Sequence, residues 1–340
     1  MHTSHTAHTA LPGGSTLTLQ SKQAAEQSTK RSPTIVIGNF KVMHRPGLLF
    51  ERTKAQLEYQ GFQVEETRHF LLAHLSNSEK TILAHRFQPQ EIDNNLVDYL
   101  MQELASILTT DQAFGNVMIG IVNSLLPYDW AKAWDIFSMN TLNRLREQMA
   151  QPDRATDQQT TIGASAAVYS RLLTLKTGKS LLDVGCACAF WLVLAAERPF
   201  LSERRLVGVD NRRDAINLSK NLARASNMPD LAFLQLDLLD PQFGEQLGTF
   251  DTVTAIHILE HLPEVYLHQA FEHLLQVTQR RLIVAVPYET QPTLAYGHLQ
   301  VFTREKLERW GRWCVEWIGG AARYWCEETA SGLLIVDIDR

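Results

Sequence analysis

The sequence predicts an α/β fold in which a largely parallel sheet is covered by helices on both faces, preceded by a smaller α+β domain. Strand and helix patterns alternate from Thr161 onward, as a parallel sheet with crossover helices requires. A buried strand pattern, Leu181–Val184, runs directly into the small-residue turn Gly185-Cys186-Ala187-Cys188-Ala189. The chain closes with two strand patterns that have no full helix between them, which predicts a hairpin and an antiparallel edge strand.

Composition divides the chain into four segments. Residues 1–32 are rich in Ser, Thr, Gln, His and Gly and poor in large apolar side chains, which predicts a disordered tail. Residues 33–150 are the predicted accessory α+β domain, residues 151–160 a polar linker, and residues 161–340 the main α/β domain. The chain has 340 residues, 45% hydrophobic and 20% charged, which is enough to form one large core or two ordinary ones, and two folded units plus a tail are expected.

The accessory domain opens with a β-α-β pattern. A short buried strand is predicted over residues 34–38, a helix over Leu48–Tyr59 that Gly61 stops, and an alternating strand over Phe62–Glu65. The apolar stretch Phe114–Leu126 is predicted to lie in the core or at a domain interface. A wall for a lipophilic substrate is the alternative interpretation of that stretch.

The same opening faintly resembles nucleoside diphosphate kinases. The resemblance rests on Lys41, Gly47-Leu48 and Gly61-Phe62. The Pro-Asp that follows the lysine in that family is Val42-Met43 here, and no later segment matches the family's catalytic-histidine region.

The main domain is predicted to alternate strands and helices up to its closing strands. The predicted elements are helix Ala164–Leu175, strand Leu181–Val184, helix Ala189–Glu197, strand Leu206–Val209, helix Arg213–Ala225, strand Ala232–Leu236, strand Phe250–Ile256, helix Glu264–Leu275, strand Leu282–Val286, helix Arg304–Trp313, and strands Val315–Trp317 and Leu333–Ile338.

The residues at the strand ends are those that hold a nucleoside. Small residues after the first strand let the backbone approach a cofactor closely, and Gly185 provides this directly. Asp210 ends the second strand, where a carboxylate can accept hydrogen bonds from both hydroxyls of a ribose. Asp237 follows the third strand at the same edge and suits an adenine amino group.

At these residues the main domain resembles class I S-adenosylmethionine-dependent methyltransferases. Leu-Asp-Val-Gly-Cys resembles their first motif, Asp210 their ribose-binding acid and Asp237 their adenine-contacting acid. The resemblance implies a Rossmann-like, seven-stranded methyltransferase sheet with an antiparallel last strand. The cofactor-binding residues implied for S-adenosyl-L-methionine are Asp183, Gly185, Cys186, Ala187, Asp210, Asn211, Asp237 and Leu238.

Two alanines depart from the family pattern. Ala187 and Ala189 replace the second and third glycines of the first motif. An alanine methyl is tolerated there if the residue keeps a negative φ, but it would crowd the methionine end of the cofactor. A degenerate cofactor site on a non-catalytic scaffold is therefore an alternative function.

The acceptor side is predicted to follow the fourth strand, at His257-Ile258-Leu259-Glu260-His261-Leu262. The string matches the inverted zinc-protease motif, but a strand in a nucleoside-binding sheet precedes it and Pro263 follows it. It also resembles the metal-dependent small-RNA 3′-terminal 2′-O-methyltransferases, which carry Glu-x-x-Glu-His there and a later His. The metal ligands implied are His257, Glu260, His261 and His298, with His257 in the place of a carboxylate.

A divalent metal is thus a candidate second cofactor. Imidazole-rich ligands would suit zinc, iron or nickel better than magnesium. In a site without metal, Glu260 and His261 are orienting or capping groups. His257 or His261 is then the candidate catalytic base, because imidazole titrates near neutral pH.

These patterns predict a methyltransferase that acts on a small-molecule acceptor, most simply at oxygen. A net charge of -5 provides no general attraction to nucleic acid, so an RNA 2′-O-methyltransferase is the alternative enzyme. A nicotinamide-dependent oxidoreductase is disfavoured by the closing hairpin and the missing third glycine. The accessory domain is a candidate surface for a protein partner.

Cysteine usage and hydropathy predict the compartment. The four cysteines form no disulfide-like framework, and the sequence contains no apolar run long enough to span a membrane. A cytoplasmic protein with reduced thiols is expected.

Overall fold

Two sheets, one from each predicted domain, organise the molecule. The computed structural model describes residues 34–76, 78, 80–151, 160–198 and 205–339. The predicted tail and residues 152–159 of the predicted linker lie outside this part of the chain. No helix among the described residues is long and apolar enough to cross a membrane.

The N-terminal part is a five-stranded mixed sheet with helices on both faces. Its order is β1-β2-β5-β4-β3, with β2 and β5 parallel and the other neighbours antiparallel. The elements are β1 (Ile35–Ile37), β2 (Phe40–His44), α1 (Leu48–Tyr59), β3 (Gln63–Glu66), β4 (Phe70–His74), β5 (Thr81–His85), α2 (Leu96–Leu104), α3 (Asp111–Leu125) and α4 (Trp130–Ala150). The predicted helix over Leu48–Tyr59 is confirmed, while the predicted β-α-β opening has an additional strand, β2, before the helix.

Helix α3 is the predicted apolar stretch of this part. Val117, Ile121 and Val122 are fully buried in the N-terminal core, packed with strands β2, β4 and β5 and helix α2. The interpretation of this stretch as core is confirmed for these residues. Phe114, one turn nearer the start of the helix, is only partly buried by that core.

The C-terminal part is a seven-stranded sheet in the order β11-β12-β10-β9-β6-β7-β8. Its elements are α5 (Thr161–Leu175), β6 (Ser180–Val184), α6 (Phe190–Ala196), β7 (Arg205–Asp210), α7 (Arg213–Ala225), β8 (Ala232–Gln235), α8 (Phe243–Leu247), β9 (Phe250–Ile256), α9 (Leu267–Val277), β10 (Thr278–Val286), α10 (Arg304–Ile318), β11 (Ala322–Glu328) and β12 (Gly332–Ile338). The predicted α/β class and the antiparallel last strand are confirmed.

Two details of the closing hairpin differ from prediction. The segment Val315–Trp317 is not a strand, because α10 continues through it to Ile318. Trp310, Trp313 and Trp317 recur at helical spacing, and the left-handed Gly319 ends the helix. The antiparallel strand is β12, which lies between β10 and β11 rather than at the edge.

The order of strands in the sheet changes side at the central strand β6. From β6 the chain adds β7 and β8 on one side, then returns to add β9 and β10 on the other. In open α/β sheets, ligands bind at the carboxyl ends of the strands where this reversal occurs. The ends of β6, β7 and β9 therefore mark the site.

Candidate active site

The turn after β6 is held tightly against the neighbouring strand. The amides of Gly185 and Cys186 both donate to the Val209 carbonyl, at 2.8 and 2.9 Å. Gly185 has φ +72°, and a Cβ there would lie 2.1 Å from Cγ2 of Ile258. Only glycine satisfies both the left-handed backbone and the close approach.

Ala187 and Ala189 also adopt left-handed backbone. Their φ angles are +45° and +57°, so the condition under which an alanine methyl is tolerated there, a negative φ, is not met. The turn retains the glycine-type conformation although alanines occupy it, and each alanine carries the strain of a Cβ in that region. Ala187 is exposed, whereas Ala189 is fully buried at the start of α6.

Asp210 is oriented by backbone donors on both sides. Its Oδ2 accepts from the Ala187 amide at 3.0 Å and its Oδ1 from the Arg212 amide at 2.9 Å. A carboxylate has about four lone-pair positions, so each oxygen keeps one for a ligand hydroxyl. This geometry fits the predicted contact with a ribose.

Asp237 and Asn211 lie together at the next strand end. Asp237 Oδ1 accepts from the Leu239 amide at 2.9 Å, and Asn211 Nδ2 is 3.5 Å from Asp237 Oδ2. Asp237 is exposed and Leu238 is buried beside it. The structure thus places the predicted ribose and adenine contacts side by side at one edge of the sheet.

Asp183 is buried beneath the turn. Its Oδ1 accepts from the Thr254 hydroxyl at 2.8 Å, and Trp191 Nε1 donates to the same hydroxyl oxygen at 3.2 Å. Burial, opposed by the Thr254 hydrogen bond and reinforced by the negative charge of Asp210, raises the pKa of Asp183 to about 7. Near neutral pH this carboxyl group can therefore lose or gain a proton.

His257 is fixed by two hydrogen bonds at the end of β9. Its Nδ1 lies 3.2 Å from Glu260 Oε1 and its Nε2 lies 3.1 Å from the Ser331 hydroxyl. Because a carboxylate only accepts, Nδ1 carries a proton, and in the neutral ring Nε2 then accepts from the Ser331 hydroxyl. The backbone of His257 is left-handed, with φ +53°.

Glu260, His261 and His298 form a cluster suited to a metal ion. One ligand-type atom from each lies within 4.8 Å of the other two. Glu260 is fully buried, and its Oε2 has no hydrogen-bond partner among the described residues. A buried carboxylate oxygen without a partner is costly, so a cation fits this place. Three of the four predicted ligands are thus brought together, while His257 contacts Glu260 from outside the cluster.

Both histidines of the cluster are oriented through Nδ1. His298 Nδ1 is 2.8 Å from Glu289 Oε2, and His261 Nδ1 is 3.2 Å from the Gly297 carbonyl. These acceptors leave Nε2 of each ring as the free ligand atom, the arrangement typical of metal-binding histidines. Desolvation lowers the pKa of His261, which favours the neutral, ligating imidazole.

Sequence reasoning did not identify the residues that support the site. Glu289, Thr254 and Ser331 lie in no motif, and each is recognisable only from its contact with a motif residue. Gly297 precedes the predicted ligand His298, but its role depends on its carbonyl, which the sequence does not display.

The geometry is that of a class I methyltransferase domain, and comparison with known proteins agrees. Residues 181–281 match the model of a family described as a methyltransferase domain. The C-terminal part of the chain is therefore a class I S-adenosylmethionine-dependent methyltransferase domain. This confirms the predicted class and its cofactor.

Individual proteins match this chain over a short segment or at low sequence identity. The chain is 37% identical over 75 residues to the rRNA N(6)-adenosine-methyltransferase metl-5 of Caenorhabditis elegans, which is 22% of this chain and 34% of that protein. The chain thus spans about a third of the length of this curated relative. Similar solved structures include an O-methyltransferase family protein from Burkholderia thailandensis, with TM-score 0.43 and 14% identity over 74% of this chain and 71% of that one. Another is the small RNA methyltransferase HEN1, with TM-score 0.45 and 17% identity over 51% of this chain and 25% of that one.

Proposed function

We propose that the protein transfers the methyl group of S-adenosylmethionine to a hydroxyl oxygen of a small-molecule acceptor, with a divalent metal ion held by Glu260, His261 and His298. The observation that carries the proposal is the buried, unpartnered Oε2 of Glu260 beside two imidazoles whose Nδ1 atoms are already occupied. A metal ion, when bound, would acidify and orient an acceptor hydroxyl.

The residues of the chain supply binding and orientation. Asp210 and Asp237 would hold the ribose and adenine of the cofactor, and Gly185 lets the backbone approach it closely. S-adenosylmethionine supplies an electrophilic methyl group on a sulfonium. The acceptor oxygen loses its proton, bonds to the methyl carbon as the carbon–sulfur bond breaks, and S-adenosylhomocysteine leaves.

His257 is the proposed recipient of the acceptor proton. Glu260 fixes the proton on Nδ1, so Nε2 is the basic nitrogen and currently accepts from Ser331. The side chain of His257 is 41% exposed, so an acceptor can reach it.

A small acceptor is favoured over a nucleic acid by the pairing of two cations that follow His298 along the chain. Lys306 bonds to Gln300 and lies 3.4 Å from Glu264, and Arg304 is paired with Glu308. Cations that are already paired offer little to a phosphate backbone. The free cysteines, Cys186, Cys188, Cys314 and Cys326, support a reducing compartment, which we propose to be the cytoplasm.

Methylation of an RNA 3′-terminal ribose is the second candidate. It is favoured because the motif that resembles the small-RNA 2′-O-methyltransferases, Glu260-His261 followed by His298, assembles into one cluster. The name of the Caenorhabditis elegans relative also refers to RNA, although to an adenosine nitrogen.

One assay tests both candidates. Metal-stripped protein is incubated with methyl-labelled S-adenosylmethionine, with and without Mn²⁺, Co²⁺ or Zn²⁺, and with phenols, catechols, sugars or short RNA. One RNA carries an intact 3′ diol and its control has that diol oxidised. We expect metal-dependent labelling of a small hydroxyl compound, lost in Glu260→Gln and kept in the exposed control Glu245→Gln.

Three results would change the proposal. Labelling of the diol RNA alone would replace the small acceptor with RNA. Full activity without metal would remove the metal from the proposal. A protein that binds no S-adenosylhomocysteine would favour the non-catalytic scaffold.

A further inference from the structure

Helix α3 of the N-terminal part reaches the loop that carries His298. The Phe114 ring meets the Tyr296 ring edge to face, with centroids 5.4 Å apart and planes at 83°. The ring centroids of Tyr296 and His298 lie 5.7 Å apart, and those of His298 and His261 lie 4.9 Å apart. An unbroken series of ring contacts thus joins α3 to two members of the metal-type cluster.

Gly297 is confined between α3 and His261. A Cβ on Gly297 would lie 3.3 Å from Cβ of Asp111, the first residue of α3, and 3.6 Å from Nδ1 of His261. The Gly297 carbonyl is the group that orients His261. The start of α3 therefore lies directly beside the residue whose carbonyl orients His261.

The loop 289–299 has few other apolar supports. Leu294 and Leu299 are exposed, and Ala295 is its buried apolar residue. Polar contacts of the loop include the Leu299 amide, which donates to the Glu260 carbonyl, and the Thr293 hydroxyl, which donates to Glu289. The ring of Tyr296 thus contacts Phe114 on the side of α3 and His298 on the side of the cluster.

A second contact fixes the N-terminal part against the methyltransferase domain. Asp98 accepts from the Thr161 amide and hydroxyl at 2.9 and 2.7 Å, and Asn95 Oδ1 accepts from the Ile162 amide at 2.9 Å. Both residues of this pair belong to or border α2, and they cap the first turn of α5. This contact anchors α2, whose buried leucines share the N-terminal core with α3.

We propose that Phe114 is a positioning residue of the acceptor side: through Tyr296 it holds the loop 289–299 so that His298 and the Gly297 carbonyl keep the cluster in a ligating arrangement. The N-terminal part is then a component of the acceptor site and not a detachable module. The role of Phe114 in metal binding and acceptor binding rests on the proposed function. Its role in holding the loop 289–299 does not.

The test compares Phe114→Ala with Leu126→Ala by hydrogen–deuterium exchange and calorimetry. Leu126 packs against the same core at the other end of α3, about 18 Å away along the helix axis. We expect exchange of the loop 289–299 to be about two- to tenfold faster in Phe114→Ala, the range for loss of one edge-to-face aromatic pair. Exchange over 181–211 and the affinity for S-adenosylhomocysteine should stay within twofold of wild type.

Further readouts separate positioning from general destabilisation. Phe114→Tyr keeps the ring, so exchange of the loop 289–299 should stay as slow as in wild type. In Phe114→Ala, the affinity for Co²⁺ should fall as exchange of the loop becomes faster. If Phe114→Ala does not fold, Tyr296→Leu removes the same contact from the loop side. Unchanged loop exchange in these variants, or equal acceleration in Leu126→Ala, would overturn the proposal.

The outcome distinguishes this inference from the proposed function. If the wild type binds no metal but Phe114→Ala loosens the loop, the metal-assisted function fails and the positioning role stands. If the wild type binds metal and Phe114→Ala leaves both loop and affinity unchanged, the positioning role fails and the function stands.

Discussion

Replacement of the two left-handed alanines by glycine tests whether the cofactor turn carries backbone strain. An L-residue in left-handed backbone costs about 1–2 kcal/mol relative to glycine. Against this, glycine raises the conformational entropy of the unfolded chain, which costs about 0.4–1 kcal/mol. Since Ala187 is exposed and its methyl packs little, Ala187→Gly should raise the free energy of unfolding by about 0.5–1 kcal/mol.

Ala189 has the same backbone strain but a different environment. Its methyl is fully buried, and loss of one buried methyl costs about 0.8 kcal/mol. The gain and the loss nearly cancel, so Ala189→Gly should leave the free energy of unfolding almost unchanged. The two substitutions are chemically identical and should differ because of burial alone.

Urea unfolding measures the difference directly. With a slope of about 2–3 kcal/mol per molar urea, Ala187→Gly should shift the midpoint upward by about 0.3 M, and Ala189→Gly by less than half of that. Ala187→Gly should also bind S-adenosylhomocysteine at least as tightly as wild type, because it only removes a methyl from the site. A destabilised Ala187→Gly, or a larger gain at Ala189, would refute the strain argument.

Three further predictions concern the site. Gly185→Ala should weaken S-adenosylhomocysteine binding at least tenfold in calorimetry, since its Cβ would lie 2.1 Å from Ile258; Gly248→Ala, with positive φ but open space, is the control that should bind normally. The pKa of Asp183 is raised from 3.8 to about 7 in the folded state, which therefore holds one more proton than the unfolded state between these pH values. The free energy of unfolding should consequently fall as pH rises through this window, by up to about 1.4 kcal/mol per pH unit. Asp183→Asn should flatten that part of the profile in urea titrations, and an unchanged slope would assign it to another group. Gly297→Ala, with φ +77° and only 3.3 Å to Asp111, should weaken Co²⁺ binding more than S-adenosylhomocysteine binding; equal losses would indicate global damage.

Six strands of the main sheet were predictable because each is a short, largely apolar run with a recognisable terminator, whereas β11 (Ala322–Glu328), which carries Arg323, Glu327 and Glu328, was not predicted. The turn at Gly185 and the carboxylates Asp210 and Asp237 stand at strand ends, so the topology alone brings them to one edge. The exception, Val315–Trp317, contains β-favouring residues, but the tryptophan spacing and the buried Cys314 favour continuation of the helix.

The rest of the site depends on contacts that sequence spacing does not encode. His257 has the spacing of a ligand, yet hydrogen bonds to Glu260 and Ser331 hold its ring beside the cluster. Ser331 lies 74 residues further along the chain and reaches His257 only because the β11–β12 hairpin folds back onto the sheet. The contact of Phe114 with Tyr296 likewise depends on how the two parts of the chain pack.

Calorimetric titration with S-adenosylhomocysteine tests the central claim, that the carboxyl edge of the seven-stranded sheet binds the methyl donor, most directly. Wild type and the exposed control Asp230→Ala should bind one equivalent with equal affinity. Asp210→Asn should bind at least tenfold more weakly, because a hydrogen bond to a charged acceptor contributes about 1.5–3 kcal/mol. A wild type that binds nothing, or an Asp210→Asn variant that binds as tightly as wild type, would contradict the assignment of this site.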